Sequence, residues 1–125
     1  MKRVVVVDDD QDVQEIVTFV LNKHHIEVVS ASNGQQLQQL LAAEQEPLPD
    51  LFILDVMMPG EDGYQICRNL RTDARTKHIP IMIITGHIES IYQRISVDLG
   101  AAQHMTKPFH PLDLLECVQA ILQLK

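Results

Sequence analysis

Two hydrophobic periods alternate along this chain of 125 residues. Short, continuous apolar runs, such as Val4 to Val7 and Leu51 to Leu54, are typical of strands that are buried on both faces of a sheet. Between these runs, apolar residues recur every three or four positions, which indicates helices with one buried face. In the first helix this face would consist of Val13, Ile16, Val17, Val20 and Leu21. Because the two periods alternate five times, the sequence predicts a parallel α/β sheet covered by helices.

The limits of the predicted elements follow from the same pattern and from helix-capping residues. The strands are expected at residues 3–7, 26–30, 51–54, 80–84 and 101–105.

The helices are delimited by capping residues. Asp9 or Asp10 is a suitable cap for the first helix, and Ser32 or Asn33 for the second. The fifth helix should begin at Pro111, because proline fits the first helical position. The fourth helix should bury Ile88, Ile91, Tyr92 and Ile95 and end near Gly100.

The order of the strands is restricted by the handedness of the connections. Right-handed crossovers between parallel strands leave few topologies, and the flavodoxin-like order 2-1-3-4-5 is the simplest one with five strands. We therefore expect a doubly wound (βα)5 fold in which residues 1–125 form a single domain.

Polar side chains that can handle a metal ion or a phosphate follow four of the apolar runs. Asp8 and Asp9 follow the first run, Asp55 the third, Thr85 the fourth and Lys107 the fifth. The carboxyl ends of parallel strands form the ligand crevice of such a sheet, so these side chains should meet there.

The charges of these side chains indicate what the crevice binds. Two carboxylates about 5 Å apart repel each other by roughly 3 kcal/mol at an effective dielectric of about 20, so such a cluster does not serve stability. Clustered oxygen ligands suit Mg²⁺ or Mn²⁺, and a lysine opposite them is a suitable point charge for a phosphate. The sequence therefore predicts a site for a divalent cation and a phosphoryl group.

The composition excludes some classes of function. A net charge of −7 disfavours direct contact with nucleic-acid phosphates, which requires a basic face, and the basic residues between positions 68 and 78 are interrupted by Asp73. No apolar run approaches the ~20 residues that cross a bilayer, and no signal-peptide pattern is present, so we expect a cytoplasmic location without membrane contact. Cys67 and Cys117 lack metal-ligand or redox spacing and are expected to be packing residues.

At these residues the chain resembles, over its full length, the receiver domain of two-component response regulators, the CheY-like superfamily. Four segments carry the resemblance: Val6 to Asp10, Leu54 to Gly63, Ile84 to Gly86 and Lys107 to Phe109. Their order, their spacing and their positions at strand ends all agree with the family.

The resemblance implies a metal site with four protein ligands. Asp8, Asp9 and Asp55, together with the backbone carbonyl of Met57, would hold Mg²⁺, for which Mn²⁺ can substitute. In the family the Lys-Pro bond is cis, so the same is expected of Lys107–Pro108.

The resemblance also implies a phosphoacceptor. Asp55 would take a phosphoryl group from a kinase phosphohistidine, Thr85 would donate a hydrogen bond to the acyl phosphate, and Lys107 would pair with it. The chain would catalyse its own phosphorylation and dephosphorylation and would act as a signalling protein rather than as a turnover enzyme.

Output in the family depends on a switch and a docking surface. His104 occupies a position where the family usually has an aromatic residue that moves together with the threonine, here Thr85. A half-buried histidine with no switching role is the alternative. The implied partners are a sensor histidine kinase or phosphotransfer protein, docking near the first helix, and a downstream protein on the face built from the fourth helix, fifth strand and fifth helix.

Three other functions are considered beside the phospho-accepting receiver. A pseudo-receiver would bind proteins constitutively with the same fold, although every residue that the chemistry needs is present. A flavodoxin-like cofactor binder is disfavoured because Asp8, Asp9 and Asp10 would repel a flavin phosphate. A phosphatase with an aspartyl nucleophile is disfavoured because it normally needs a second domain or long insertions to cap the site, and the sequence shows neither.

Overall fold

Five parallel strands form one open sheet in the order β2-β1-β3-β4-β5. The computed structural model describes residues 1–43, 47–56, 58, 60, 63–86 and 100–123. The strands are β1 (Arg3–Val7), β2 (Glu27–Ala31), β3 (Leu51–Asp55), β4 (Ile81–Thr85) and β5 (Gln103–Thr106). The described helices are α1 (Gln11–Asn22), α2 (Gly34–Ala42), α3 (Gly63–Thr72) and the C-terminal helix (Pro111–Leu122). The predicted fold class and strand order are confirmed.

Several predicted strand limits were displaced by one or two residues. Ile26 does not start β2, because its N–H donates to the carbonyl of Leu21 and closes the turn after α1. The strands β3 and β4 each continue through a polar residue, Asp55 and Thr85, because both still pair with the neighbouring strand. The residues predicted for a fourth helix, from Ile88 to Ile95, lie outside the described residues.

The protein has two hydrophobic cores, one on each face of the sheet, because its central strands are apolar on both faces. Val5 and Val7 contribute to the cluster that α2 and α3 cover, whereas Val4 and Val6 face α1 and the C-terminal helix. The alternation along one strand therefore supplies two hydrophobic layers, which explains the continuous apolar runs. Cys67 is a fully buried member of the first layer, as expected of a packing residue.

The helix caps are decided by local hydrogen bonds. Asp10 caps α1 by accepting a hydrogen bond from the N–H of Asp12 at 2.9 Å, and Asn33 caps α2 by accepting one from Gln36 at 2.8 Å. Of the candidates for the two caps, Asp10 rather than Asp9 caps α1, and Asn33 rather than Ser32 caps α2. Asp9 therefore has no capping role. Ile16, which the helical period placed on the inner face of α1, is instead 41% exposed.

None of the helices among the described residues has both the length and the apolar character needed to cross a bilayer.

Gly63 allows the loop after β3 to pack closely. A Cβ atom at this position would lie 2.2 Å from the Cα of Val56, and the N–H of Gly63 donates to the carbonyl of Val56 at 3.2 Å. The backbone that follows Asp55 is thereby held against the start of α3, so the glycine helps to fix the end of β3.

We predict that Gly63→Ala lowers the free energy of unfolding by about 2 kcal/mol or more, because the added methyl group overlaps backbone atoms that cannot move aside. Urea unfolding followed by circular dichroism measures this change. Gly86→Ala is the matched control, since a Cβ there meets none of the described atoms within 4 Å. Equal effects of the two substitutions would contradict the steric explanation.

Candidate functional site

The register of the sheet brings four strand ends together. Val7 pairs with Leu54, so Asp8 and Asp55 emerge side by side from β1 and β3. Thr85 pairs with Thr106 at the ends of β4 and β5, and the N–H of Lys107 donates to the carbonyl of Thr85 at 2.7 Å. The sequence-predicted crevice is therefore formed, although its residues are up to 99 positions apart in the sequence (Asp8 to Lys107).

Three carboxylates form the acidic part of the site. Asp8 is 0% exposed and Asp55 is 2% exposed, whereas Asp9 is exposed to solvent. One oxygen atom from each lies within 4.8 Å of the others. Three oxygen ligands at this separation, one of them reachable from solvent, fit a small hard cation that keeps several of its waters.

Lys107 lies between the two buried carboxylates. Its ammonium nitrogen donates a hydrogen bond to Oδ2 of Asp55 at 2.9 Å and lies 2.9 Å from Oδ2 of Asp8. Asp8 uses its other oxygen, Oδ1, to accept a hydrogen bond from the N–H of Asp10 at 2.9 Å. The lysine thus neutralises part of the negative charge of the cluster. The Lys107–Pro108 peptide bond is cis, as expected from the resemblance.

Burial and neighbouring charges change the pKa values of this group. Burial raises the pKa of Asp8 above its ordinary value, although the hydrogen bond from Asp10 and the ammonium of Lys107 act in the opposite direction. Burial alone would lower the pKa of Lys107, but its contacts with Asp55 and Asp8 outweigh this effect and raise it. Lys107 is therefore held as a cation in the crevice.

The two candidate switch residues lie on neighbouring strands. Thr85 is 3% exposed at the end of β4. His104 is half-buried in the edge strand β5, where it pairs with Ile83. Met105 packs into the layer beneath α1 and the C-terminal helix, so alternation along the strand directs His104 to the opposite face. Met57, the fourth predicted metal ligand, lies outside the described residues.

The structure adds a residue that the sequence did not single out. The side-chain amide of Gln14 in α1 donates to the carbonyl of Asp8 at 2.5 Å. No local pattern marks this glutamine, because it lies between the buried and exposed faces of an ordinary amphipathic helix. A predicted cap or metal ligand can be found from residue type and spacing, whereas this contact depends on how α1 is rotated against the sheet.

Some of the basic residues between positions 68 and 78 form hydrogen bonds with backbone carbonyls. Arg71 donates hydrogen bonds to the carbonyls of Lys77, Ile79 and Gly100, and Arg75 donates to the carbonyl of Leu41. Two of the five basic side chains therefore stabilise loops around β4 and α2.

Comparisons with known proteins agree with this geometry. The family model described as "Response regulator receiver domain" matches residues 4–119. Transcriptional regulatory protein GltR of Pseudomonas aeruginosa is 35% identical over 122 residues, which are 98% of this chain and 49% of GltR. The chain thus spans about half the length of that relative.

Solved structures with the same fold cover nearly the whole chain. A response regulator receiver protein from Burkholderia phymatum is 30% identical, with a TM-score of 0.87 and coverage of 100% of this chain and 98% of that protein. The chemotaxis response regulator CheY4 of Vibrio cholerae is 29% identical, with a TM-score of 0.84 and coverage of 97% of this chain and 98% of that protein.

We predict that Asp8→Asn raises the melting temperature of the metal-free protein at neutral pH. The pKa of Asp8 is raised in the folded state, so its ionised form opposes folding above its ordinary pKa of 3.8, and asparagine removes this effect. Because wild-type Asp8 is protonated in both states at lower pH, the difference should shrink there. Thermal unfolding in EDTA at several pH values measures it. A variant less stable than the wild type at neutral pH would contradict the prediction.

Proposed function

The chain belongs to the response regulator receiver family of two-component systems, and we propose that it accepts a phosphoryl group on Asp55 in a reaction that depends on Mg²⁺. The observation that carries this proposal is the position of Asp55. Its buried carboxylate lies in the crevice at the strand ends, where it accepts a hydrogen bond from Lys107. The carboxylates of Asp8 and Asp9 lie close to it.

The proposed reaction moves a phosphoryl group from nitrogen to oxygen. A carboxylate oxygen of Asp55 attacks the phosphorus of a phosphohistidine, the P–N bond breaks, and the imidazole leaves with the electron pair. Transfer of this kind depends on in-line positioning and on balancing the charge of the phosphoryl oxygens. Lys107 already lies 2.9 Å from Asp55 and supplies one positive charge at the place where the new phosphate forms. Thr85 would donate a hydrogen bond to it.

This chain supplies a set of oxygen ligands for the cation. Asp8, Asp9 and Asp55 would hold Mg²⁺, with Mn²⁺ as a substitute, and the carbonyl of Met57 would be the further ligand that the family resemblance implies. When bound, the ion supplies the charge neutralisation that three carboxylates and a phosphate require. The fit rests on the separation of the oxygens, which is no more than 4.8 Å.

The phosphodonor would dock beside α1. Phe19 is 63% exposed on this helix, and a groove of about 580 Å³ lies beside it, lined by residues that include Gln14 and Ser30. Gln14 also donates a hydrogen bond to the backbone carbonyl of Asp8, so one residue that lines the groove is in contact with the acidic cluster. A sensor histidine kinase or phosphotransfer protein that covers Phe19 would therefore bring its phosphohistidine towards Asp55.

The output of the domain would be a protein contact that changes with phosphorylation. Thr85 and His104 would link the phosphate to the face that the family resemblance assigns to the fourth helix, β5 and the C-terminal helix. The residues predicted for the fourth helix lie outside the described residues. His104 as a switch, binding of a downstream protein at this face, a cytoplasmic location and the absence of direct nucleic-acid binding all stay predictions.

We predict that the wild type gains one phosphoryl group when incubated with acetyl phosphate and Mg²⁺, and that Asp55→Asn gains none, because the nucleophilic carboxylate is missing. Intact mass spectrometry measures the gain. Asp12→Asn, in the exposed first turn of α1, is the matched control and should behave as the wild type. EDTA should abolish the gain. An unmodified wild type that also fails to bind Mg²⁺ would favour the pseudo-receiver instead.

We predict that Phe19→Ala slows phosphotransfer from a protein donor by about tenfold, the effect typical of an exposed aromatic anchor in an interface. The rate with acetyl phosphate should not change, because that donor needs no docking surface. A phosphorylated histidine kinase domain or phosphotransfer protein active on the wild type is the probe. Leu48→Ala, which alters an exposed leucine just before β3, at the end of that strand opposite the crevice, is the control. An equal loss with both donors would show that Phe19 acts through the fold rather than through docking.

A further inference from the structure

The side chain of Gln14 ties together the ends of two strands beside the acidic cluster. Its amide nitrogen lies 2.5 Å from the carbonyl oxygen of Asp8, 3.2 Å from the hydroxyl of Ser32 and 3.4 Å from the carbonyl oxygen of Ala31. The shortest of these contacts is the one to Asp8. Gln14 is thus a helix residue whose main partner is the backbone of a candidate metal ligand.

This contact completes a set of hydrogen bonds that fixes the backbone around Asp8. The N–H of Asp8 donates to the carbonyl of Ala31 at 3.1 Å, and its carboxylate accepts from the N–H of Asp10 at 2.9 Å. The remaining backbone group, the carbonyl, is held by Gln14. Because that carbonyl belongs to the peptide unit joining Asp8 to Asp9, its hydrogen bond sets the orientation of this unit.

Asp9 depends on that orientation more than the other two acids. Its side chain is exposed, and among the described residues it has no hydrogen-bond or ion-pair partner, whereas Asp8 and Asp55 both contact Lys107. The direction of the Asp9 carboxylate is therefore set by its backbone. A rotation of the Asp8–Asp9 peptide would move it away from the other two oxygens.

We propose that Gln14 is a positioning residue of the divalent-cation site, which orients Asp9 by holding the carbonyl of Asp8. Gln14 would not touch the cation; it restricts the backbone of Asp9, whose side chain has no hydrogen-bond or ion-pair partner within the described part of the chain. Loss of such supporting hydrogen bonds typically weakens metal binding by about tenfold or more. The inference rests on the proposed cation site and adds a residue outside the acidic cluster.

Another glutamine in the same network allows a matched control. Gln36 in α2 accepts a hydrogen bond from the N–H of Ser32 at 2.7 Å, so it supports the loop that Gln14 also contacts. Gln36 has no contact with Asp8 among the described residues. A purely structural role of the network would make both glutamines equally important for metal affinity.

The experiment measures Mn²⁺ affinity from the free-ion signal in electron paramagnetic resonance, beside urea unfolding of the metal-free proteins. The variants are Gln14→Asn, which keeps the amide but shortens its reach, Gln14→Met, which keeps the length but removes the donor, and Gln36→Asn. We expect both Gln14 variants to bind Mn²⁺ about tenfold more weakly than the wild type, whereas Gln36→Asn binds it as the wild type does.

The possible outcomes separate this inference from the function on which it rests. Wild-type affinity in a folded Gln14 variant, or an equal loss in Gln36→Asn, would overturn the positioning role while leaving the cation site intact. A wild type that does not bind Mn²⁺ would overturn the proposed cation site itself. Gln14→Asn keeps the test decisive if Gln14→Met does not fold, because it retains a polar side chain at the half-buried position.

Discussion

The candidate site depends on the contacts of one ammonium group with two buried carboxylates. Lys107 lies 2.9 Å from an oxygen of Asp8 and 2.9 Å from an oxygen of Asp55, and these aspartates are 0% and 2% exposed. A buried carboxylate loses its hydration and needs a nearby positive charge in return. That charge is available only because β5 pairs with β4 with Thr106 opposite Thr85, so that the residue after β5 reaches the crevice. The register of the last strand thus determines the charge balance at the ends of β1 and β3.

The site has a closed side and an open side, and two adjacent residues define the difference. Asp8 is the first residue after β1 and is enclosed by Lys107 and by the backbone of Asp10, whereas Asp9 is exposed. This arrangement suits the proposed function, because a hydrated cation and a phosphodonor need access from solvent, while Asp55 needs a sheltered position. Electrostatic stabilisation is stronger where water is excluded, which favours a buried acceptor with an accessible neighbour.

The sequence allowed much of the fold to be predicted, and the errors have local physical causes. The continuous valine run predicted β1 correctly as Arg3–Val7, because a strand buried on both faces leaves an unmistakable apolar run. The predicted start of β2 was wrong by one residue, since Ile26 is apolar but its N–H donates a hydrogen bond to the carbonyl of Leu21 in α1. Ile16 fits the helical period but lies at the edge of the buried stripe formed by Val13, Val17 and Leu21. Hydrophobic character alone does not distinguish such borderline positions from core positions.

The sequence by itself determined which chemical groups reach the crevice, because a side chain that directly follows a buried parallel strand must emerge at its carboxyl end. Asp8, Asp55, Thr85 and Lys107 could all be placed in this way. Only the tertiary structure decided that one lysine contacts both buried acids, and that Gln14 holds the backbone of Asp8. Lys107 is 52 residues from Asp55, and Gln14 reaches Ala31 across 17 residues. Contacts over such separations depend on strand register and helix rotation, which arise from the packing of the whole sheet and leave no local pattern in the chain.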